Sequence, residues 1–184
     1  MATETYSPAR SAWGPSWAEA WGPSWNGDDA GVAYPVHSPA DVLRWFLVGY
    51  GVGVAPTDAG SWPVGASLST DRPDEAIATL DQQGIDEGST HDGEKQEHYG
   101  VQVLIRARTH PAGYAKAAEV ATVLDRETHN RLVSVPETDD LPAATYLIHA
   151  VNRTGPVLPL GLDAPQGKRR LFSINVTVAM TRRS

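Results

Sequence analysis

Residues 97–108, Glu-His-Tyr-Gly-Val-Gln-Val-Leu-Ile-Arg-Ala-Arg, contain the alternation that decides the fold. From Tyr99 onward apolar side chains occupy nearly every second position, with polar ones such as Gln102 and Arg106 between them. Alternation of this length predicts a β-strand with one buried face. Residues 114–132 follow with apolar spacings of three and four, which predict an amphipathic helix. A strand that leads into its covering helix predicts a two-layer α/β domain.

Further elements are predicted on both sides of this unit. Ser38 is suited to cap a helix over residues 39–50, because Pro39 fits the first helical position. The polar stretch 84–97 is predicted to be a solvated acidic loop. Strands are predicted at 62–70, 76–81, 145–151 and 172–180, with an irregular or edge segment at 155–162.

The N-terminal segment, residues 1–37, differs in composition from the rest, residues 38–184. Its sequence Ala-Trp-Gly-Pro-Ser-Trp occurs at 12–17 and again at 20–25, and Gly-Pro interrupts helix and strand alike. We expect an extended arm that binds a neighbouring protein through its four tryptophans, Trp13, Trp17, Trp21 and Trp25. The alternative is an arm folded back on its own domain. Stacking on single-stranded nucleic acid is disfavoured, because Arg10 is the only basic residue there.

Charge is distributed unevenly along the chain, whose net charge is −7. Residues 1–105 hold 15 acidic and 4 basic residues, whereas residues 106–184 hold 7 acidic and 11 basic ones. An acidic protein without a basic face is not a general nucleic-acid binder. The asymmetry indicates either opposite surfaces that meet different neighbours or chance clustering on solvated surfaces.

Motifs for catalysis, cofactors and metals are missing from the sequence. The chain has no cysteine, no nucleophile elbow and no pair of histidines at zinc-ligand spacing. The glycines at 49–53 follow a predicted helix and therefore lack the context of a dinucleotide-binding loop. No signal peptide or membrane-spanning run is recognisable. We expect a protein made in the cytoplasm that has no catalytic residues, no metal and no cofactor, and is not an enzyme.

Five stretches taken together resemble the tail terminator proteins of long-tailed bacteriophages, also described as minor capsid or tail completion proteins. The likeness covers about residues 38–183 and depends on order and spacing. The stretches are 45–47 (Trp-Phe-Leu), 62–64 (Trp-Pro-Val) leading through 73–76 into a strand, 99–106, 145–147 and 170–176. The resemblance implies an α/β (α+β) fold with a mostly antiparallel central sheet covered by helices on one side.

The resemblance also implies a function in the virion. It implies a homo-oligomeric ring, typically a hexamer, at the head-tail junction, which ends growth of the tail tube and contacts the head connector. DNA would pass through the channel without specific binding, and we expect part of the acidic cluster Asp86, Glu87, Asp92, Glu94 and Glu97 to line or approach it. The alternatives are a head-completion or connector-adaptor protein and, from another class, a small α/β enzyme or ligand-binding domain.

Overall fold

The computed structural model describes residues 35–68, 74–89, 95–163 and 168–183, with only the backbone described at 85–89 and 95–97. These residues belong to the unit Tyr34–Ser184, the second of two units of the chain. The helices are α1 (Pro39–Gly49) and α2 (His110–Arg126). The strands are β1 (Val64–Gly65), β2 (Ala76–Ser89), β3 (Lys95–Ala107), β4 (Arg131–Val135), β5 (Ala144–Arg153), β6 (Leu158–Leu162) and β7 (Arg170–Arg183).

The seven strands form one sheet in the order β1-β2-β3-β7-β5-β4, with β6 paired to β7 off this path. Every named pair is antiparallel except β1 with β2. Strand β3 pairs with one side of β7, and β5 and β6 pair with successive parts of its other side. The predicted mostly antiparallel sheet with helices on one side is confirmed.

Helix α1 begins where the sequence predicts. The Ser38 hydroxyl accepts a hydrogen bond from the Asp41 N–H at 3.1 Å, and Pro39 occupies the first turn. Helix α1 contacts both β2 and β4, which lie four strands apart in the sheet order. Neighbouring strands are about 4.8 Å apart and a helix is about 10 Å wide, so the sheet must curl around α1 to make both contacts.

The core lies between the helices and the apolar face of β3 and β7. Val103 pairs with Ile174 and Ile105 pairs with Phe172, and all four side chains are fully buried. Helix α2 covers these strands and comes so close that Gly113 packs against the Phe172 ring. The alternation of the central and last strands therefore predicts the buried face correctly.

The predicted helix over 114–132 is wrong at its C-terminal end. Helix α2 ends at Arg126, and the chain turns at Asn130 with a left-handed φ of 53°. Leu132 and Val133 then belong to β4, which the sequence analysis did not predict. The apolar residues of this short strand continue the helical spacing by coincidence, so periodicity alone assigned them to the helix.

Two other expectations are corrected by the strand boundaries. The stretch predicted as an acidic loop over 84–97 is largely strand, because β2 continues to Ser89 and β3 begins at Lys95. The strand predicted at 62–70 is reduced to the two residues of β1. In the hairpin formed by the end of β2 and the start of β3, backbone pairing maintains the strands although the sequence there has no apolar alternation. Among the described residues, no helix has the length and apolar character needed to cross a bilayer.

Candidate partner-binding surfaces

A chain of ion pairs closes one end of the sheet. The Arg106 guanidinium, 1% exposed, lies 3.2 Å from the Asp163 carboxylate. Arg169 lies between Asp163, at 4.0 Å, and Asp74, at 3.0 Å. Asp74 also pairs with Arg108 at 2.9 Å. The alternation of β3 predicts that Arg106 lies on a polar face. In the structure Arg106 is buried and forms an ion pair with Asp163, which is 57 residues away in the sequence.

The described residues of this end of the sheet carry a surplus of positive charge. We call this region the basic end; the starts of β2 and β7 and the ends of β3 and β6 meet there. Its described acidic residues are Asp74, Glu75 and Asp163, and its described basic residues are Arg106, Arg108, Lys168, Arg169 and Arg170. Because Arg108, Lys168 and Arg170 are exposed, the surplus is available to a partner.

The opposite end of the sheet carries the acidic residues predicted to line a channel. Asp86 and Glu87 lie in β2 and Glu97 lies in β3, and the backbone register pairs Asp86 with Glu97. Asp92 and Glu94 lie outside the described residues. Glu97 and Arg106 are nine residues apart on one strand, which corresponds to about 30 Å. The sheet therefore separates acidic residues from the basic end along its strand direction.

Basic residues are present at this second end too, but they are fewer. Lys95 lies in the hairpin, and Arg182 and Arg183 end β7. The loop between β4 and β5 adds three acidic residues: Glu137, Asp139 and Asp140. The described residues of this end therefore carry a net negative charge.

Strand β6 presents three leucines to solvent. Leu158 is 42% exposed, and Leu160 and Leu162 are each 51% exposed. We call these three residues the leucine edge. Among the described strands β6 pairs only with β7, so its other side is open. The sequence predicts an irregular or edge segment here, and β6 confirms the edge position.

The chain enters the domain through a buried contact at His37. The Tyr146 hydroxyl accepts a hydrogen bond from the His37 N–H at 2.9 Å and lies 3.1 Å from its Nδ1 atom. Both side chains are buried, although residues 1–37 are predicted to form an arm. The four candidate binding tryptophans, Trp13, Trp17, Trp21 and Trp25, lie outside the described residues.

A second ion pair fastens the C-terminal part of β5 to α2. Two guanidinium nitrogens of Arg153 donate to the two Asp125 carboxylate oxygens at 2.7 Å each. These hydrogen bonds raise the pKa of Arg153. A bidentate arginine–carboxylate pair has a better defined geometry than a surface ion pair with a single hydrogen bond.

Four of the histidines are distributed over separate elements. His98 lies in β3, His110 begins α2, His129 lies in the following turn and His149 lies in β5. Within the described ranges, no group of three or more histidine, aspartate or glutamate side chains could hold a metal ion.

Charged ends and an exposed apolar edge are the kinds of surface through which proteins contact one another. Residues 46–136 match the family model described as bacteriophage tail terminator protein. The matched stretch runs from α1 through β4 and covers about half of the 184 residues. The chain belongs to the bacteriophage tail terminator family. No curated protein matches the chain.

Family membership agrees with the resemblance drawn from the sequence and defines a general role. The protein is a structural component of the phage virion at the tail, where it associates with other phage proteins. The strands β5, β6 and β7 lie beyond the matched residues, so the leucine edge is outside the part of the chain on which the family assignment rests.

Proposed function

We propose that copies of this protein close into a ring of six subunits at the head-proximal end of the tail tube. The ring ends tube growth and presents its other face to the head connector or adaptor protein at the neck. The family match is the observation that carries this proposal. The protein acts as an assembly subunit and not as an enzyme, and the subunits assemble in the host cytoplasm.

The charge distribution supports a ring built by unlike contacts. In a closed ring of more than two subunits, each subunit has two different, complementary surfaces. One surface contacts the subunit on one side, and the other contacts the subunit on the other side. The basic end, with Arg108 and Arg170, and the opposite end, with Glu137, Asp139 and Asp140 of the loop between β4 and β5, are two such surfaces of opposite charge. Opposite charges fix the orientation of a contact even where they add little affinity.

The same proposal assigns a channel to the ring. DNA passes through it without specific binding, since carboxylates repel phosphates whereas lysine and arginine bind them. We expect part of the set Asp86, Glu87, Asp92, Glu94 and Glu97 to line or approach this channel. A density map of the ring with all five carboxylates on its outer surface would refute the assignment.

Loss of the gene from the phage tests the terminator role. Without the protein we expect tail tubes that grow beyond their normal length and filled heads that remain unjoined to tails. Complementation with the wild-type gene should restore both length control and joining. Tubes of normal length that merely fail to join heads would instead favour a head-completion or connector-adaptor role.

A further inference from the structure

The leucine edge is an apolar surface that is poorly suited to pairing with another strand. Pro159 lacks the N–H that a neighbouring strand would need, and a bulge separates Pro159 from Gly161, whose φ is 94°. Such features protect an edge strand against pairing with a further strand. A partner would therefore cover Leu158, Leu160 and Leu162 mainly with side chains.

Positive charge borders the leucine edge. Leu162 pairs with Arg170 in β7, and Lys168 lies in the segment that leads into that strand. Both basic side chains are exposed. A partner matched to this surface therefore carries large apolar side chains together with acidic residues.

Residues 12–25 of the chain and their surroundings have this composition. The segment contains Trp13, Trp17, Trp21 and Trp25, and residues 1–34 hold four acidic residues against one basic residue. In an extended chain, positions separated by an even number share one face, so Trp17 and Trp21, which no Gly-Pro pair separates, would point the same way. Residues 16–22 are free of proline and slightly exceed the five residues of β6 in length.

The tether at His37 limits how far this segment can reach. Nine residues, 26–34, lie between Trp25 and the described region, which begins at Pro35, so these two residues can be at most about 36 Å apart when the chain is fully extended. Tyr146, which holds His37, pairs with Arg182, whereas the leucine edge pairs with residues 170–173 at the other end of β7. About ten residues of β7, roughly 33 Å, separate these two positions, so the segment can reach the leucine edge of its own domain or that of a copy in direct contact with it.

We propose that residues 12–25 of one copy cover the leucine edge of the adjacent copy. This inference rests on the proposed ring, in which each subunit contacts one neighbour through its arm and the other neighbour through its leucine edge. The tryptophans pack against Leu158, Leu160 and Leu162, while the acidic residues of the arm face Lys168 and Arg170. This contact joins neighbouring subunits in addition to the contact between their oppositely charged ends.

Because the chain contains no cysteine, single cysteines can report the contact. Full-length Ser24→Cys and Lys168→Cys proteins, which keep every tryptophan and leucine, are mixed and treated with a short bis-maleimide. We expect a cross-linked dimer that joins one variant to the other. Cross-linking within the chain of a Ser24→Cys/Lys168→Cys double variant, with none in the mixture, would overturn the proposal in favour of the arm's own domain.

A matched pair of leucine variants tests the surface itself. Leu160→Asp should lower the yield of the cross-linked dimer at least tenfold, because it places a carboxylate against the tryptophans and the acidic arm. Leu132→Asp, at a more exposed leucine of β4 outside the leucine edge, should leave the yield unchanged. Equal losses for both variants, or for neither, would overturn the assignment of the surface.

Native mass spectrometry of the same samples separates this inference from the proposed function. Intact rings without a cross-link contradict the arm contact alone, and point to the connector or another protein as its partner. A protein that stays monomeric contradicts the ring as well.

Discussion

Arg106 and Asp163 are joined at 3.2 Å although 57 residues separate them, and this ion pair fastens the chain after β6 to the end of β3. Arg106 is 1% exposed and Asp163 is 28% exposed, so the pair lies at the boundary between core and solvent. The end of the sheet that holds the basic residues thus depends on a contact that no local pattern indicates.

Asp163→Asn should destabilise the domain by about 1–3 kcal/mol, because the buried Arg106 loses its charged acceptor while keeping its other interactions. Chemical denaturation with tryptophan fluorescence measures this change. Glu127→Gln is the control, since it breaks an exposed pair with Arg131 and should cost no more than about 0.5 kcal/mol. Equal free energies of unfolding for the two variants would contradict the importance of the Arg106–Asp163 pair.

Tyr146→Phe should cost about 1–3 kcal/mol of folding free energy, because the buried His37 N–H loses the hydroxyl that accepts its hydrogen bond. Limited proteolysis should also cut near residues 35–38 more rapidly in this variant. Tyr114→Phe removes an exposed hydroxyl and should change stability by less than about 0.5 kcal/mol. If the two variants unfold alike, His37 is not held by Tyr146 in solution.

Gly113→Ala should destabilise the protein by about 1–3 kcal/mol, since the added methyl group would collide with the Phe172 ring under α2. Gly49→Ala, at the end of α1, meets no atom within 4 Å and should be neutral or stabilising by up to about 1 kcal/mol. Thermal unfolding of both variants checks the prediction. A neutral Gly113→Ala would mean that α2 lies further from β7 than the structure shows.

Deletion of residues 1–33 tests the arm while it keeps His37 and the Ser38 cap. If the arm clasps neighbouring subunits, the truncated protein should fold but form few or no rings, and replacement of all four arm tryptophans by alanine should have the same effect. Rings that form but fail to join heads to tails would place the arm at the connector instead. Wild-type yield of joined particles would show that the arm is dispensable.

The sequence predicts the parts of the fold that local rules control. Ser38 and Pro39 mark the start of α1, and alternation from Phe172 to Met180 marks the buried face of β7. The boundary between α2 and β4 escapes prediction, because Leu132 and Val133 fit the helical spacing and only the turn at Asn130 separates the two elements.

The candidate surfaces depend more on tertiary structure than the fold does. The hairpin formed by the end of β2 and the start of β3 has a polar sequence typical of a loop, and it forms strands because its backbone pairs in register. The basic end brings together Asp74, Arg108 and Asp163 from three separate segments. The leucines of β6 are visible in the sequence, but their exposure is a property of the folded domain that their spacing does not indicate.

Cryo-electron microscopy of assembled particles tests most directly whether the protein forms a closed ring at the neck of the virion. We expect a ring of six copies of this chain between the last layer of the tail tube and the head connector. A neck that lacks this chain, or contains it only as single copies without ring symmetry, would contradict the proposed ring.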